Sequence, residues 1–539
     1  MKKYHLFLLT ICFVILKSQN LELQNKFLYS ADNGNGTYTN PILYSDYSDP
    51  DVIRVDDKFY MTASSFNCIP GLPILESYDL VNWKLISYAL TKNIPKEKYN
   101  FPQHGNGVWA PCIRFHNNTF YIFYPDPDYG IYMIKTNDPK GLWSEPILIK
   151  SGKGLIDPTP LWDNDGKTYL FYAFAGSRAG IKSILAACTM NNEGTKANND
   201  DVLIIDGHQE EPTIEGPKIY KKNDYYYIFA PAGGVSTGWQ TVLRSKNIFG
   251  PYEKKKVLHQ GKTNINGPHQ GAWVNTKTGE DWFIHFQDKG SFGRILHLQP
   301  MKWKNDWPVI GVDEDNDGIG EPVTTYKKPN VGKDFPIISP NDSDEFNNPK
   351  LGLQWQWHAN PQIQWGFPSS LGFFTLNCIP KPENYKNLFD VPNLLLQKIS
   401  APNFTATVKA SNFLKNNNEE FGFVIMGLDY SYIRIKRIDG KFYISQIVCL
   451  NADKKTNEEE LSRTEIKNKD LFLRIKISED GSAMFSYSED QKNYRKIGEI
   501  FSIKEGKWIG AKIGFLALRE NFINDAGYTN IDWIRFEKP

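Results

Sequence analysis

Apolar and polar residues alternate in short runs along residues 49–310, and polar turns separate the runs. Five of the runs are rich in aromatic residues: 59–65, 119–124, 168–172, 225–229 and 282–286. Each follows a shorter apolar run across a turn of Asn, Asp, Gly or Thr, which is typical of a β-hairpin. Helical periodicity is almost absent. The pattern predicts an all-β protein.

The five hairpins belong to repeats that begin at residues 49, 109, 157, 215 and 269. Each repeat has a short strand, a polar turn, the aromatic-rich strand and a later return strand, which we place at 77–83 in the first repeat. Repeats of this length indicate four-stranded blades, so we expect a five-bladed β-propeller over 36–327. The repeat is too regular for a large sandwich and too long for a β-helix.

The pattern changes near Pro308. A polar passage covers 313–321 and 327–329, and a second aromatic-rich β region begins at Ser343. Its strands, such as 421–426, 432–436 and 471–476, lack the propeller repeat and predict a β-sandwich over 341–539. Two domains also suit a chain of 539 residues, because single cores stop growing at about 250–300 residues.

The N-terminus has the features of an export signal. A basic start, Met-Lys-Lys, precedes an apolar stretch from about Leu6 to Leu16. That stretch is shorter than the about 20 residues that span a bilayer. We therefore predict a signal peptide over 1–18 and a secreted or periplasmic protein. Cys12 is a poor lipidation site, because Ile11 before it is bulky.

Charge and cysteine content narrow the possible partners. The 62 basic and 61 acidic residues leave a formal net charge of +1, which gives no long-range field for nucleic acid or anionic lipid. A neutral substrate fits better, and we expect no membrane partner. Five widely spaced cysteines remain after the signal, with no CxxC pair, so we expect buried free thiols. The sequence leaves the oligomeric state open.

The residues that open the five repeats should meet at one mouth of the propeller's central channel. They are Asp49, Trp109, Asp157, Glu215 and His269. Taken singly, a carboxylate beside Pro or Gly is usually a turn residue, but three together in a shielded place are costly unless function needs them. Two carboxyl groups, one to protonate a leaving oxygen and one to activate water, suffice for glycosidic cleavage.

Short motifs around these positions resemble those of glycoside hydrolase family 43, the β-xylosidases and α-L-arabinofuranosidases. The motifs are Asn40-Pro41, Ser48-Asp49-Pro50, Ser64-Ser65-Phe66, Pro70-Gly71-Leu72-Pro73, Asp79-Leu80-Val81-Asn82-Trp83, Trp109-Ala110-Pro111, Ile156-Asp157-Pro158, Glu215-Gly216-Pro217 and Gly293-Arg294. The resemblance covers roughly 36–325. The region from 341 onward resembles, less specifically, the concanavalin-like domain often attached to this family.

The resemblance implies an inverting hydrolase that releases terminal xylose or arabinofuranose from hemicellulose-derived oligosaccharides or polysaccharides. A β-xylosidase is preferred, with an α-L-arabinofuranosidase as the alternative. By resemblance Asp49 is the general base, Glu215 the general acid, and Asp157 the carboxylate that raises the pKa of the acid and orients it. Arg294 corresponds to a substrate-binding arginine, and His269 to an axial histidine that in relatives lies beside a bound water or metal ion.

Four aromatic or amide residues are further candidates for substrate binding. Phe66 and Trp109 are predicted to form walls of the sugar pocket, with core packing as the alternative. Trp239 and Gln240 are predicted to line the outer subsite.

Two acidic groups are candidate sites for a structural calcium, although the chemistry requires no cofactor. The first consists of Asp313, Asp315 and Asp317. Their spacing is that of a calcium loop, but Thr324 stands where an EF-hand places its bidentate Glu, and a solvated acidic loop is the alternative. The second group, similar to the cation site of concanavalin-like modules, consists of Asp344, Glu345 and Asp532.

Two other functions compete with the exo-acting hydrolase. A non-catalytic carbohydrate-binding propeller has no need for a clustered acid, base and modulator, so the three carboxylates argue against it. An endo-acting arabinanase is disfavoured, because the appended C-terminal domain in this family tends to close the cleft into a pocket.

Overall fold

The computed structural model describes residues 27–520 and 522–539. The predicted signal peptide, 1–18, lies outside the described residues. Among the described residues, no helix has the length and apolar character needed to cross a bilayer.

Five four-stranded antiparallel sheets form the blades of a propeller, as the repeats predicted. Blade I consists of Asp51–Val55, Lys58–Thr62, Gly71–Ser77 and Trp83–Leu90. Blade II consists of Cys112–His116, Thr119–Asp126, Gly130–Thr136 and Ile147–Ser151. Blade III consists of Leu155–Trp162, Thr168–Phe174, Ile184–Met190 and Val202–Asp206. Blade IV consists of Lys218–Lys222, Tyr225–Ala232, Trp239–Ser245 and Glu253–Leu258. Blade V consists of His269–Asn275, Asp281–Asp288, Arg294–Lys304 and Trp307–Ile310.

The return strand predicted at 77–83 is wrong. Ser77 ends the third strand of blade I, Trp83 begins the fourth, and residues 78–82 form the turn between them. Ser77 Oγ accepts hydrogen bonds from the N–H groups of Asp79 and Leu80, and the Asp79 carboxylate accepts from Val81 N–H and Asn82 N–H. Side chains that bond to nearby backbone in this way favour turns over strands.

Successive residues of each aromatic-rich strand point to opposite faces of the blade, so each strand packs against both neighbouring blades. Phe59 and Met61 belong to the apolar cluster between blades I and V, whereas Tyr60 belongs to the cluster between blades I and II. Phe120 and Phe123 divide in the same way between the blades on either side of blade II. Both faces of each blade are therefore buried, and five clusters between neighbouring blades close the ring.

The N-terminal segment closes the propeller against blade V. The short strand Thr37–Thr39 pairs with Thr325–Lys327, which follows the last blade. The Asn40 amide donates to the carbonyls of Leu298 and Val323, both at 2.8 Å, and its oxygen accepts from Leu298 N–H. These contacts join the two ends of the ring.

Two eight-stranded sheets, whose strands pair mostly antiparallel, form the predicted C-terminal sandwich. The strands of the first sheet are Gln356–Trp357, Leu395–Lys398, Lys512–Arg519, Glu420–Met426, Tyr430–Ile438, Lys441–Cys449 and Glu459–Ile466, with Ile379–Pro380 beside Lys512–Arg519. The strands of the second sheet are Gly366–Pro368, Phe374–Asn377, Tyr528–Glu537, Phe404–Phe413, Asp470–Ile477, Ser482–Ser488 and Arg495–Lys496, with Phe501–Ser502 beside Ser482–Ser488.

Helices are few and short in the part of the chain that the structure describes. The α-helices are Lys96–Tyr99 and Gly176–Ala179. The 3-10 helices are Gly290–Phe292, Ile363–Trp365, Leu388–Asp390 and Ala452–Lys454. The five cysteines from Cys68 to Cys449 are buried and free, as predicted.

The two domains pack closely against each other. Ile69 of the propeller and Trp357 of the sandwich exchange backbone hydrogen bonds of 3.0 and 2.6 Å. Tyr44, Phe292 and Ile295 of the propeller belong to the same apolar cluster as the sandwich core. The sandwich is thereby fixed beside the mouth of the channel that holds the carboxylates.

Candidate active site

A pocket of about 120 Å³ lies at one mouth of the propeller channel, where the five repeat openings meet. The residues that line it are Asp49, Phe66, Trp109, Ala110, Ile156, Asp157, Glu215, Val235, His269, Gln270, Arg294 and Trp508. The structure therefore brings together all three predicted carboxylates and four of the six predicted substrate-binding residues. A larger cavity, of about 440 Å³, lies among the inner strands and contains none of the three carboxylates.

The backbone turns sharply where the carboxylates enter the pocket. Asp49 and Asp157 have φ values of 56° and 55°, a left-handed conformation uncommon for residues other than glycine. The register between the first two strands of blade III shifts next to Asp157, and blade V has a similar shift at His269, where Gln270 has a φ of 33°. Such irregularities redirect side chains, here into the pocket.

Asp49 is held by a cation and two hydroxyl groups. Its Oδ2 atom accepts hydrogen bonds from Ser48 Oγ at 2.7 Å and Ser64 Oγ at 2.5 Å. Arg294 Nη1 lies 3.2 Å from Asp49 Oδ1 and donates to Ser48 Oγ at 2.6 Å. The backbone N–H of Arg294 donates to Asp46 Oδ1 at 2.9 Å. Asp49 is thus fixed as a hydrogen-bond acceptor, which suits a base that orients water.

Asp157 is the most perturbed acid of the pocket. Burial, followed by the charges of Glu215 and Asp49, raises the pKa of Asp157 to about 8. Its Oδ2 atom accepts a hydrogen bond from Gly216 N–H at 2.8 Å and a longer one from Gln270 Nε2 at 3.4 Å. Asp157 therefore binds its proton more tightly than an exposed Asp does.

Glu215 is the more accessible member of this pair. Its side chain is 24% exposed, whereas Asp157 is 2% exposed. Glu215 Oε1 lies 2.9 Å from His269 Nε2, which orients the carboxyl group towards the pocket. His269 Nδ1 is buried and has no hydrogen-bond partner among the described residues. The single imidazole nitrogen of His269 is a poor ligand for calcium, which prefers oxygen ligands. It can instead form a hydrogen bond with a water molecule.

Phe66 and Trp109 line one side of the pocket. Their ring centroids are 6.5 Å apart in an edge-to-face arrangement. Trp109 Nε1 donates to Gly105 O at 2.9 Å, and the Arg178 guanidinium lies 5.6 Å from the Trp109 ring centroid. Aromatic walls of this kind contact the apolar faces of sugar rings.

Trp508 is a pocket residue that the sequence did not reveal. It comes from a loop of the sandwich, and its ring centroid lies 6.3 Å from that of Trp109 and 6.0 Å from the Arg294 guanidinium. Trp508 is 47% exposed and has a φ of 63°. Gly506 and Gly510 signal a turn around it, but no local pattern shows that this turn reaches a site more than two hundred residues away.

Trp239 and Gln240 do not line the pocket. Trp239 Nε1 donates to Glu211 Oε2 at 3.0 Å, and Lys256 Nζ lies 3.9 Å from the Trp239 ring centroid. Gln240 is 1% exposed and donates to Thr241 O. Both side chains belong to the packing of blade IV. Val235 and Gln270 line the pocket instead, and neither was singled out by its residue type.

The structure brings one of the two acidic groups together. Carboxylate oxygens of Asp313, Asp315 and Asp317 lie within 4.8 Å of one another. The other group is divided among separate partners. Asp344 accepts from Trp355 Nε1 at 2.9 Å. Glu345 forms two hydrogen bonds with Arg535, and Asp532 pairs with Lys409 at 2.6 Å.

The pocket thus combines a fixed carboxylate, a buried carboxyl group of raised pKa and a more accessible carboxyl group, and acid–base cleavage of a glycosidic bond uses such groups. The family model of glycosyl hydrolases family 43 matches residues 38–308. The model of the beta-xylosidase C-terminal concanavalin A-like domain matches residues 343–537. The chain belongs to glycosyl hydrolase family 43, and its substrate is a carbohydrate.

Two curated relatives match 94% and 74% of the chain. A beta-xylosidase of Formosa agariphila is 32% identical over 94% of this chain and 91% of its own length. The non-reducing end alpha-L-arabinofuranosidase BoGH43B of Bacteroides ovatus is 30% identical over 74% of this chain and 75% of its own. The crystal structure of the GH43 protein BlXynB from Bacillus licheniformis superposes with a TM-score of 0.79 at 25% identity, covering 93% of this chain and all of its own.

Proposed function

We propose that this protein is a secreted, inverting, exo-acting hydrolase that removes terminal pentose, preferably β-linked xylose, from hemicellulose-derived oligosaccharides. The observation that carries the proposal is the pocket of about 120 Å³ in which Asp49, Asp157 and Glu215 meet, closed on one side by Trp508. A pocket closed on one side admits a chain end rather than the middle of a chain.

In the proposed reaction Asp49 acts as general base. The water molecule lies between its carboxylate and the anomeric carbon, and Asp49 takes a proton from this water as it attacks. Ser48, Ser64 and Arg294 keep the carboxylate in place, which limits the motion that attack requires. Inversion needs acid and base roughly 6.5–9.5 Å apart so that water fits between base and sugar.

Glu215 acts as general acid on the opposite side of the bond. It donates a proton to the leaving oxygen as the glycosidic bond breaks. Asp157 is the proposed modulator of this acid: it lines the same pocket, and burial together with the charges of Glu215 and Asp49 raises its own pKa to about 8. His269 holds the Glu215 carboxyl group at 2.9 Å and so fixes the direction of transfer.

The β-xylosidase activity is preferred over the α-L-arabinofuranosidase activity for two reasons. The stretch from Ser64 through Trp83 is similar to the xylosidase-like branch of the family. The Formosa agariphila relative, which covers 94% of the chain, is named a beta-xylosidase. The arabinofuranosidase remains the second candidate, because the Bacteroides ovatus relative carries that name.

Hydrolysis of nitrophenyl β-D-xylopyranoside and nitrophenyl α-L-arabinofuranoside tests the proposal. We expect the xyloside to react faster and NMR to show product of inverted anomeric configuration. Asp49→Asn should abolish turnover, while sugar binding by calorimetry persists. Glu215→Gln should lose most activity on xylobiose but retain more on the nitrophenyl substrate, whose leaving group needs little protonation.

The outcomes separate the competing functions. Faster reaction of the arabinofuranoside would assign the second candidate, and product of retained configuration would reject the water-displacement mechanism. If neither glycoside nor any xylo-oligosaccharide is cleaved although calorimetry shows sugar binding, the protein is a carbohydrate-binding propeller. Export is tested separately, by N-terminal sequencing of protein from the cell exterior, which should begin near residue 19.

A further inference from the structure

A second cavity lies at the mouth of the propeller channel opposite the catalytic pocket. Its volume is about 440 Å³, whereas that of the catalytic pocket is about 120 Å³. Every blade lines it with three consecutive residues of its first strand: 52–54, 114–116, 160–162, 219–221 and 273–275. These residues lie towards the ends of the strands, whereas the catalytic carboxylates lie near the starts. Because a strand rises about 3.3 Å per residue, the two cavities are roughly 15 Å apart.

Buried side chains separate the two cavities, which share no lining residue. Asp51, Cys112, Thr159 and Lys218 belong to the first strands of four different blades, and each is 0% exposed. Arg114 donates hydrogen bonds to Asp51 Oδ2 at 2.7 Å and to Thr159 Oγ1 at 3.1 Å, which joins blades I, II and III across the channel. A ligand in the second cavity therefore does not reach the catalytic carboxylates.

Aromatic rings form much of the lining of the second cavity. The Trp162 and His116 rings are stacked, with centroids 4.7 Å apart and planes 9° apart. Trp162 Nε1 donates to Asn192 O at 2.9 Å, which fixes the indole. Phe115 is 38% exposed, and Trp273 lines the cavity from blade V. Aromatic rings in a concave site can pack against the apolar faces of a sugar.

The charged groups of the second cavity already have partners. None of the described residues that line it is acidic. Lys221 forms an ion pair of 2.5 Å with Asp163, and Arg114 forms one of 2.7 Å with Asp51. Burial lowers the pKa of His116, so its imidazole is uncharged at neutral pH. The cavity therefore favours an uncharged ligand over an anion or a cation.

Arg54 and Asn275 provide hydrogen-bonding groups at the open side of the cavity. Arg54 Nε donates to Asn275 O at 2.9 Å, and Arg54 Nη1 donates to Asp56 O at 2.9 Å. The guanidinium group has five N–H donors, and the exposed Asn275 amide can donate and accept. Hydroxyl groups pair with both kinds of atom. A ligand with apolar faces, many hydroxyl groups and no charge has the chemistry of a saccharide.

We propose that the second cavity is a non-catalytic binding site for a short segment of xylo-oligosaccharide. This inference rests on the proposed function, which supplies the identity of the sugar. The catalytic pocket and the second cavity open on opposite sides of the propeller, so they bind different chains or distant parts of one chain. Binding at the second cavity keeps the enzyme on the polysaccharide between cleavages, because two sites on one molecule raise the effective concentration of each for the polymer.

Calorimetry with xylotetraose tests the proposal in the Asp49→Asn protein, which should bind the sugar without cleaving it. We expect two bound molecules per chain, and little change at about 1 M salt, because salt does not screen the binding of an uncharged ligand. Adding Phe115→Ala should weaken the second site at least about tenfold, which corresponds to about 1.4 kcal/mol. Phe367→Ala, which removes a 48% exposed aromatic of the sandwich, is the matched control and should keep both sites.

Phe115→Ala and Asn275→Ala in the active enzyme provide the second measurement. Both variants should keep the wild-type kcat/KM on nitrophenyl β-D-xylopyranoside, which needs only the catalytic pocket, and both should lose retention on insoluble xylan. Asn275 is exposed, so its variant serves as the test if Phe115→Ala does not fold.

The inference is rejected if these variants have the wild-type Tm and, in the Asp49→Asn background, bind xylotetraose as Asp49→Asn alone does. Loss of the second site at about 1 M salt would also reject it, because that result indicates an anion site. Failure of wild type to cleave either nitrophenyl glycoside would instead reject the proposed function, so the two failures are distinguishable.

Discussion

Replacing Asp157 with Asn should stabilise the protein at neutral pH while it impairs catalysis. The residue is 2% exposed, and burial, then Glu215 and Asp49, raise its pKa from 3.8 to about 8. An acid whose pKa is raised by folding binds its proton more tightly in the folded chain. The stability it contributes is therefore fully present below the unfolded pKa and is lost as the pH rises to about 8.

The size of this effect follows from the shift. Stability is lost at about 1.4 kcal/mol for each pH unit between the unfolded and folded pKa values. At pH 7 the buried carboxyl therefore destabilises the folded state by up to roughly 4 kcal/mol relative to about pH 4. An Asn side chain does not titrate, and its oxygen can still accept the Gly216 N–H bond of 2.8 Å. The increase in unfolding free energy caused by Asp157→Asn should thus grow as the pH rises.

The assay is urea unfolding of wild type and Asp157→Asn at about pH 5, 6.5 and 8, together with nitrophenyl glycoside turnover. Asp163→Asn in the same blade is the control. Although burial raises the pKa of Asp163, hydrogen bonds from Lys221 and Tyr226 outweigh it and hold this pKa below its usual value. Asp163→Asn should therefore have a lower free energy of unfolding than wild type at neutral pH, and this difference should shrink as the pH falls. If the difference in unfolding free energy between wild type and Asp157→Asn were the same at about pH 5 and 8, the reasoning would be refuted.

Three further outcomes are expected. Arg294→Met leaves Asp49 buried without its cation and should destabilise the protein by about 3–5 kcal/mol in urea unfolding, with loss of turnover. Gly510→Ala would place a Cβ 2.8 Å from Phe292 O, so it should lower the free energy of unfolding by roughly 1–3 kcal/mol. It should also lower kcat/KM, because it moves the loop that carries Trp508. An unchanged kcat/KM would contradict this. We also propose that calcium binds the acidic loop, so millimolar calcium should raise the Tm of wild type but not of Asp315→Asn.

The sequence was sufficient for the architecture because the propeller repeats itself. Five copies of one hairpin pattern, with alternating residues buried on both blade faces, admit few other arrangements. Equivalent repeat positions then placed Asp49, Asp157, Glu215 and His269 at one mouth of the channel without any long-range information. The signal peptide and the roles assigned to the carboxylates stay predictions.

The tertiary structure alone decided what closes the pocket and how its charges are held. Trp508 enters from another domain, and Arg294 meets Asp49 only when blades I and V come together. Ser64 meets Asp49 within blade I. Conversely, Trp239 has the aromatic character of a sugar-binding residue, yet its indole packs within blade IV. Local patterns fix periodicity and turns, because these depend on neighbouring residues. Contacts between side chains of different blades and domains depend on long-range packing. No local sequence pattern specifies these contacts.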